Sequence, residues 1–316
     1  MSSKPKLVVL HEIPENARPM AEDMLGPHFE IEFSLPATDV GGESTVSAAA
    51  VLARVLTRGM LDRFTGLEFV QTPSAGVEGI DLAAVAERGV WLANSHSSAP
   101  YVAEYAVALL LAGLKGIPIV DRSLRAGEKP AAGWPTSLSG KTVGIAGFGY
   151  IGQAIAKQLR GFDVDILCFR QGRPEGDQNR AGGRQVGFGE LLERSDALFI
   201  CLPLTENTRN LFDARALSAL KPSVYIVNVG RAEVMEKSAI VDALAGNALS
   251  GLALDVWWEG EPIPETFLND DRIILSSHRA GGDVEGPTYL QGAIDSLLEF
   301  ATGKPLSNIV DPMEGY

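Results

Sequence analysis

With 316 residues the chain is about twice the size of an ordinary domain, so two compact domains are expected, each large enough to bury its own core. Apolar residues make up 46% and charged residues 21%, and 34 glycines and 18 prolines follow no G-X-Y period, which excludes a disordered or collagen-like chain. With 40 acidic residues against 27 basic ones, the net charge of −13 repels phosphate backbones and anionic lipid surfaces, so nucleic-acid and membrane-surface roles are set aside.

In chain order, KLVVLHE reads as a short strand, MAEDMLG as a helix ending at Gly26, FEIEFS as a second strand and VSAAAVLARVL as an Ala-rich segment before Gly59. This alternation is the rhythm of a layered α/β domain. LEFVQTPSAGVEGID follows as strand, glycine-rich turn and helix start, and GVWLANSHS as a strand running into a polar loop. From Ala99 to Ile117 the pattern predicts one long, largely apolar helix, then a Gly/Pro-rich connection, AGEKPAAGWPTSLSG. The apolar stretch before His11 is too short for a signal peptide, and no later run approaches the ~18 uninterrupted apolar residues of a membrane span. Cys168 and Cys201 stand inside apolar runs, as small buried hydrophobes. A cytoplasmic protein of a reducing compartment is expected.

The second domain opens at KTVGIAGFGYIGQAIAKQL, a buried strand that turns through Gly147, Gly149 and Gly152 into a helix. The first glycine permits the tight turn, the second lets the backbone approach a pyrophosphate, and the third lets helix and strand pack closely. The phosphates lie at the helix N-terminus, with its exposed N–H groups and positive dipole end. Ordinary turn glycines would satisfy the six-residue string equally well; the strand before it and the helix after it favour a dinucleotide site. An NAD site carries an acidic residue ~20 positions further on, at the end of the next strand. Here DVDILCF ends instead on Arg170, followed by Gln171 and Arg173. Guanidinium groups there suit a 2′-phosphate, so NADP(H) is favoured, with NAD(H) as the alternative.

Further landmarks are SAGVEGID at 74–81, NSHSSAPYVAE at 94–104, CLPLTENT at 201–208, NVGR at 228–231, ALDV at 253–256, EP at 261–262 and SHRAGG at 277–282. With them the chain closely resembles, over nearly its whole length, the D-isomer-specific 2-hydroxyacid dehydrogenase family, which includes the glyoxylate/hydroxypyruvate reductases. The resemblance implies an α/β protein of two Rossmann-like domains, parallel sheets flanked by helices, with the active site in the cleft between them. The expected domains are a flavodoxin-like substrate domain of residues 1–98 and 285–316 and a dinucleotide-binding domain of residues 99–284. The implied activity is NADP(H)-dependent interconversion of a small 2-oxoacid, such as glyoxylate or hydroxypyruvate, and its D-2-hydroxyacid, by a homodimer without a metal.

The implied catalytic set is Arg231, Glu261 and His278: the Arg fork holds the carboxylate, His278 exchanges a proton with the carbonyl oxygen, and the glutamate orients the imidazole. The family's glutamate usually lies slightly closer to the D-V pair than Glu261 does, which leaves Glu259 as its alternative. Ala232 stands where the family commonly has glycine and would add a methyl beside the site. His96 would face the cleft or be a loop histidine without a role. The amides of Ser74, Ala75, Gly76 and Val77 would hold the substrate carboxylate, although a plain strand-to-helix turn would use the same residues. Beside the glycines, cofactor contacts are implied for Tyr150, Ile151, Leu202, Thr208 and Gly281. Pro203 would wall the adenosine, Val229 and Gly230 would lie near the nicotinamide ribose, and Asp255 near the carboxamide. Two other readings share the fold. A formate or phosphite dehydrogenase is disfavoured because the formate type pairs its histidine with glutamine. A dinucleotide-sensing corepressor would be expected to carry an interaction tail, whereas this sequence ends at NIVDPMEGY, soon after its last predicted helix.

Overall fold

A computed structural model describes residues 4–34, 45–130, 133, 135–172, 175–176, 181–258, 260–281 and 287–313. The chain divides into two compact units, residues 1–98 with 283–316, and residues 99–282. In chain order the first unit holds β1 (Lys6–Val9), α1 (Arg18–Leu25), β2 (Glu30–Phe33), β3 (Val46–Ser47), β4 (Ala50–Leu52), α2 (Arg58–Leu61), β5 (Phe64–Thr65), β6 (Phe69–Gln71), α3 (Leu82–Glu87) and β7 (Trp91–Ala93). Five of these strands form a parallel sheet in the order β2-β1-β4-β6-β7, and β3 pairs separately with β5. The Ala-rich segment carries strand β4, in which every residue is buried. A parallel sheet covered on both faces overrides the helix preference of those alanines. α1 begins earlier than the apolar pattern, because Pro19 in its first turn lacks only an N–H that has no partner there anyway. Asp81 opens α3 by accepting the Ala84 N–H at 2.9 Å.

The second unit holds α4 (Ala99–Leu114), α5 (Ile117–Arg125), β8 (Thr142–Ala146), α6 (Tyr150–Leu159), β9 (Asp165–Phe169), β10 (Arg184–Gln185), α7 (Phe188–Arg194), β11 (Ala197–Ile200), α8 (Ala214–Ser218), β12 (Tyr225–Asn228), α9 (Lys237–Ala245), β13 (Gly251–Leu254), α10 (Glu265–Leu268) and β14 (Ile273–Leu275). Its seven strands are all parallel, in the order β10-β9-β8-β11-β12-β13-β14. Counted from β8 this is the doubly wound order 3-2-1-4-5-6 with one more strand, and the order reverses between β8 and β11, where such sheets bind ligands outside their carboxyl ends. The single helix expected over Ala99–Ile117 is in fact two. Gly116, at φ 62°, takes the left-handed conformation that stops α4 and lets α5 leave at an angle of 62°. Among the described residues no single helix is long and apolar enough to cross a membrane.

One face of the larger sheet is covered by α4 and α6, with Val102, Ala106, Leu110, Ile155 and Leu159 packed on Ile145, Phe199 and Val227. On the other face Leu198, Ile226 and Leu252 meet Phe212, Ile240 and Phe267. The last helix, α11 (Pro287–Ala301), belongs to the first unit, where Leu290, Ile294 and Leu297 pack with Val9, Leu52 and Phe69. Burying each such side chain contributes about 1.5–3 kcal/mol.

Candidate active site

The turn from β8 to α6 is built by three glycines with different surroundings. At Gly147, φ is 93°, and a β-carbon would lie 2.7 Å from the Cys201 carbonyl. At Gly152 it would lie 2.3 Å from the Gly147 oxygen, whereas at Gly149 it would meet nothing within 4 Å. The first and third glycines therefore let the chain pack on itself, and the second leaves space over the start of α6. That helix has neither a side-chain cap nor an acidic residue in its first turn. The positive end of its dipole suits an anion, so the turn fits a dinucleotide pyrophosphate. Tyr150, 56% exposed, and half-buried Ile151 begin the helix.

Arg170 is exposed immediately after β9, its carbonyl accepting from Gln185 Nε2 at 3.1 Å, and Gln171 beside it is exposed too. Arg173 lies outside the described residues. After β11, Leu202 is buried and Pro203 exposed. Thr208 is buried beneath them; its hydroxyl donates to the Pro203 carbonyl at 2.6 Å and accepts the Thr205 N–H at 2.8 Å. It closes the loop that presents Pro203.

At the end of β12, Val229 is buried, and a β-carbon on Gly230 would lie 2.6 Å from the Leu202 oxygen, so the two strand ends pack closely. Asn228, fully buried, accepts the Gly230 N–H at 2.9 Å and donates to the Arg231 carbonyl at 3.0 Å. It shapes the backbone under Arg231, a task its sequence does not signal. Arg231 is half-buried and donates from Nη1 to the Gly230 carbonyl at 2.8 Å. Ala232, next in the chain, is 1% exposed, in a short 3-10 turn (Ala232–Val234), and its methyl packs in the core.

Asp255, 1% exposed at the end of β13, binds the loop that follows β14. Its Oδ1 accepts from the Ser276 hydroxyl at 2.5 Å and the Arg279 N–H at 2.9 Å, and its Oδ2 accepts the Ala280 N–H at 2.9 Å. That loop carries His278, exposed and at φ 57°. Half-buried Gly281 follows. Glu261 does not meet His278 in this arrangement. It is exposed, and Lys237 Nζ donates to its carboxylate at 2.8 Å and to the Pro262 carbonyl at 3.1 Å. Glu259 lies outside the described residues.

In the first unit, the Ser74 hydroxyl donates to the Gly76 carbonyl at 2.9 Å, Asn94 Nδ2 to the Ala75 carbonyl at 2.8 Å, and the Ile80 N–H to the Val77 carbonyl at 2.9 Å. With the carbonyls held, the N–H groups of Ala75, Gly76 and Val77 have no acceptor among the described residues. Asn94, 6% exposed, braces this loop, and only its place in a quoted motif hinted at it. His96 is half-buried, and burial holds its imidazole below the usual histidine range. Burial pushes the Cys201 thiol up to about 12, which leaves it protonated at neutral pH. Among the described residues no group of three or more His, Cys, Asp or Glu is placed to hold a metal ion.

The family model described as D-isomer specific 2-hydroxyacid dehydrogenase, NAD binding domain, matches residues 107–280, more than half of the chain, and the chain belongs to that family. It is an oxidoreductase that uses a nicotinamide dinucleotide. The glyoxylate reductase of Thermococcus litoralis is 29% identical over 325 residues, covering 98% of this chain and 97% of its own. The 2-ketogluconate reductase of Gluconobacter oxydans is 29% identical over 97% of this chain and 98% of its own. Among solved structures, the NADPH-dependent glyoxylate/hydroxypyruvate reductase of Sinorhizobium meliloti, in complex with NADP and malonate, superposes with a TM-score of 0.77 at 28% identity, covering 99% of this chain and 98% of its own.

Proposed function

We propose that the protein reduces a small 2-oxoacid, glyoxylate or hydroxypyruvate or one of similar size, to its D-2-hydroxyacid with NADPH. One observation carries the reading: at the carboxyl ends of a single parallel sheet, the chain presents an uncapped glycine turn, Arg231, and His278 on a loop anchored by the buried Asp255. The dinucleotide supplies the hydride that reaches the carbonyl carbon. Arg231 would hold the carboxylate in its planar fork and polarise the adjacent carbonyl, its grip tightening as charge builds on the oxygen. His278, as imidazolium, would give that oxygen its proton, and as imidazole would take it back in the reverse direction. In the first unit, the free amides of Ala75, Gly76 and Val77 make a loop suited to an anion.

Exposed Arg170, standing where an NAD site has a carboxylate, supports NADPH over NADH, as does the NADP bound to the Sinorhizobium relative. Because Lys237 already holds Glu261, Glu259 is the better candidate to orient His278. Glu259→Gln is then expected to cost more turnover than Glu261→Gln. A homodimer working in the cytoplasm completes the reading; α5, which buries none of its own residues, supports the dimer.

The test follows reduced-nicotinamide absorbance with NADPH or NADH and glyoxylate, hydroxypyruvate, pyruvate or phenylpyruvate. NADPH is expected to be preferred, and His278→Ala to lower kcat by about 10²-fold or more. Arg231→Ala is expected to raise KM and also lower kcat. Oxidation of neither cofactor with any of these acids, despite tight dinucleotide binding, would remove the reductase reading in favour of a sensor.

A further inference from the structure

We propose that Tyr105 and Ser276 are positioning residues, forming with Asp255 a hydrogen-bond relay that ties the His278 loop to helix α4 and holds His278 in its left-handed backbone conformation. The inference rests on His278 acting as set out above. A residue with a β-carbon at φ 57° is strained, and it persists only where its surroundings impose it. His278 makes no hydrogen bond of its own among the described residues, so the constraint comes from its neighbours on both sides. Before it, the Ser276 N–H donates to the Leu254 carbonyl at 2.9 Å, and the Ser276 carbonyl accepts from Trp257 Nε1 at 2.7 Å. After it, the Arg279 and Ala280 amides are both held by the Asp255 carboxylate at 2.9 Å. The imidazole is left exposed, as a group that passes a proton must be.

The direction of the relay follows from proton counting. The Ser276 hydroxyl donates its single proton to Asp255 Oδ1, 2.5 Å away. The Tyr105 hydroxyl, 2.8 Å from Ser276 Oγ, must then be the donor in that contact. With its proton directed to Asp255 and a lone pair filled by Tyr105, the Ser276 side chain is held in one orientation. Tyr105 is itself placed by α4, whose Val102, Ala103, Ala106 and Val107 are buried in the core of the unit. The loop is thus referenced to a packed helix as well as to its own strands. Removing the tyrosine hydroxyl frees Ser276 to rotate and takes a donor from the chain that ends on Asp255.

The experiment compares Tyr105→Phe, Ser276→Ala, Ser276→Thr, the Tyr105→Phe/Ser276→Ala double variant and His278→Ala in the full chain. Hydrogen–deuterium exchange is followed over residues 273–281 without ligand, and kcat, KM and NADPH affinity are measured alongside. Tyr105→Phe and Ser276→Ala are expected to speed exchange of the Arg279 and Ala280 amides. Both should lower kcat about 10-fold, with NADPH affinity unchanged, because a small misplacement of a reacting group acts on the chemical step. Ser276→Thr, which keeps the hydroxyl, should restore both readouts, and the double variant should be no worse than Ser276→Ala alone. Unchanged exchange in Tyr105→Phe overturns the relay. So does unchanged kcat where His278→Ala is inactive, or a loss of turnover accompanied by equal losses of NADPH affinity and melting temperature. An active His278→Ala would instead remove the role of His278, and the exchange data would still decide whether Tyr105 holds the loop.

Discussion

At Gly149 a β-carbon would touch nothing within 4 Å, while at Gly147 and Gly152 it would press on backbone atoms 2.7 and 2.3 Å away. The three glycines of the turn are therefore separable by experiment. Gly149→Ala is expected to fold with a melting temperature within about 2 °C of the parent, since a change that touches nothing costs little. It should nevertheless weaken dinucleotide binding by about tenfold, roughly 1.4 kcal/mol, by crowding the phosphate approach. Gly152→Ala and Gly147→Ala should each cost about 2 kcal/mol or more from overpacking, with added backbone strain at Gly147. Calorimetry beside a fluorescence titration with NADPH separates these outcomes, and a destabilised Gly149→Ala would contradict the assignment. The G-x-G-x-x-G spacing is legible in the sequence because it recurs over six residues. That Gly147 has no room for a side chain depends on Cys201 and Leu202, which reach the turn from a different strand.

Helix α4 meets strand β12 where Gly113 lies against Tyr225, and a β-carbon at Gly113 would sit 2.1 Å from the Tyr225 ring and 2.2 Å from its hydroxyl. Tyr225 is 3% exposed, and its hydroxyl is buried without a hydrogen-bond partner among the described residues. Gly113→Ala is expected to destabilise by about 1–3 kcal/mol, because the ring has no room to yield. Tyr225→Phe should be neutral or stabilising, since it removes a buried polar atom that nothing satisfies. Combined, Tyr225→Phe should return part of the Gly113→Ala loss in urea unfolding; strict additivity would mean that the two residues do not share this contact. Apolar periodicity revealed α4 itself but ran through its end. The break before α5 depends on the left-handed conformation at Gly116, and a glycine permits that conformation without announcing it.

His11 and His96 both lie in the first unit, and burial lowers the pKa of each from the ordinary 6.5, with Arg54 adding to the shift at His11. The unfolded chain therefore binds protons that the folded unit refuses, so stability is fully present above 6.5 and falls as the pH drops toward the depressed folded values. The lowered carboxylates Asp196 and Asp270 start from 3.8, so their contribution is lost only at still lower pH. Melting temperature is expected to fall between about pH 7 and pH 5, and His96→Asn to flatten that fall. A flat calorimetric profile for the parent over this range would contradict it.

The sequence by itself determined the alternation of strands and helices, the glycine turn and the positions of Arg231 and His278 soon after strands. Periodicity, glycine and the ends of apolar runs are local signals, legible within a few residues. Only the tertiary structure decided what the polar side chains at those strand ends hold. Asp255 clasps Ser276 across 21 residues, Glu261 turns to Lys237 across 24, and Asn94 braces Ala75 across 19. Each of these bonds joins segments that the parallel sheets bring side by side, and a hydrogen bond exists only where the packed backbone sets donor and acceptor about 3 Å apart.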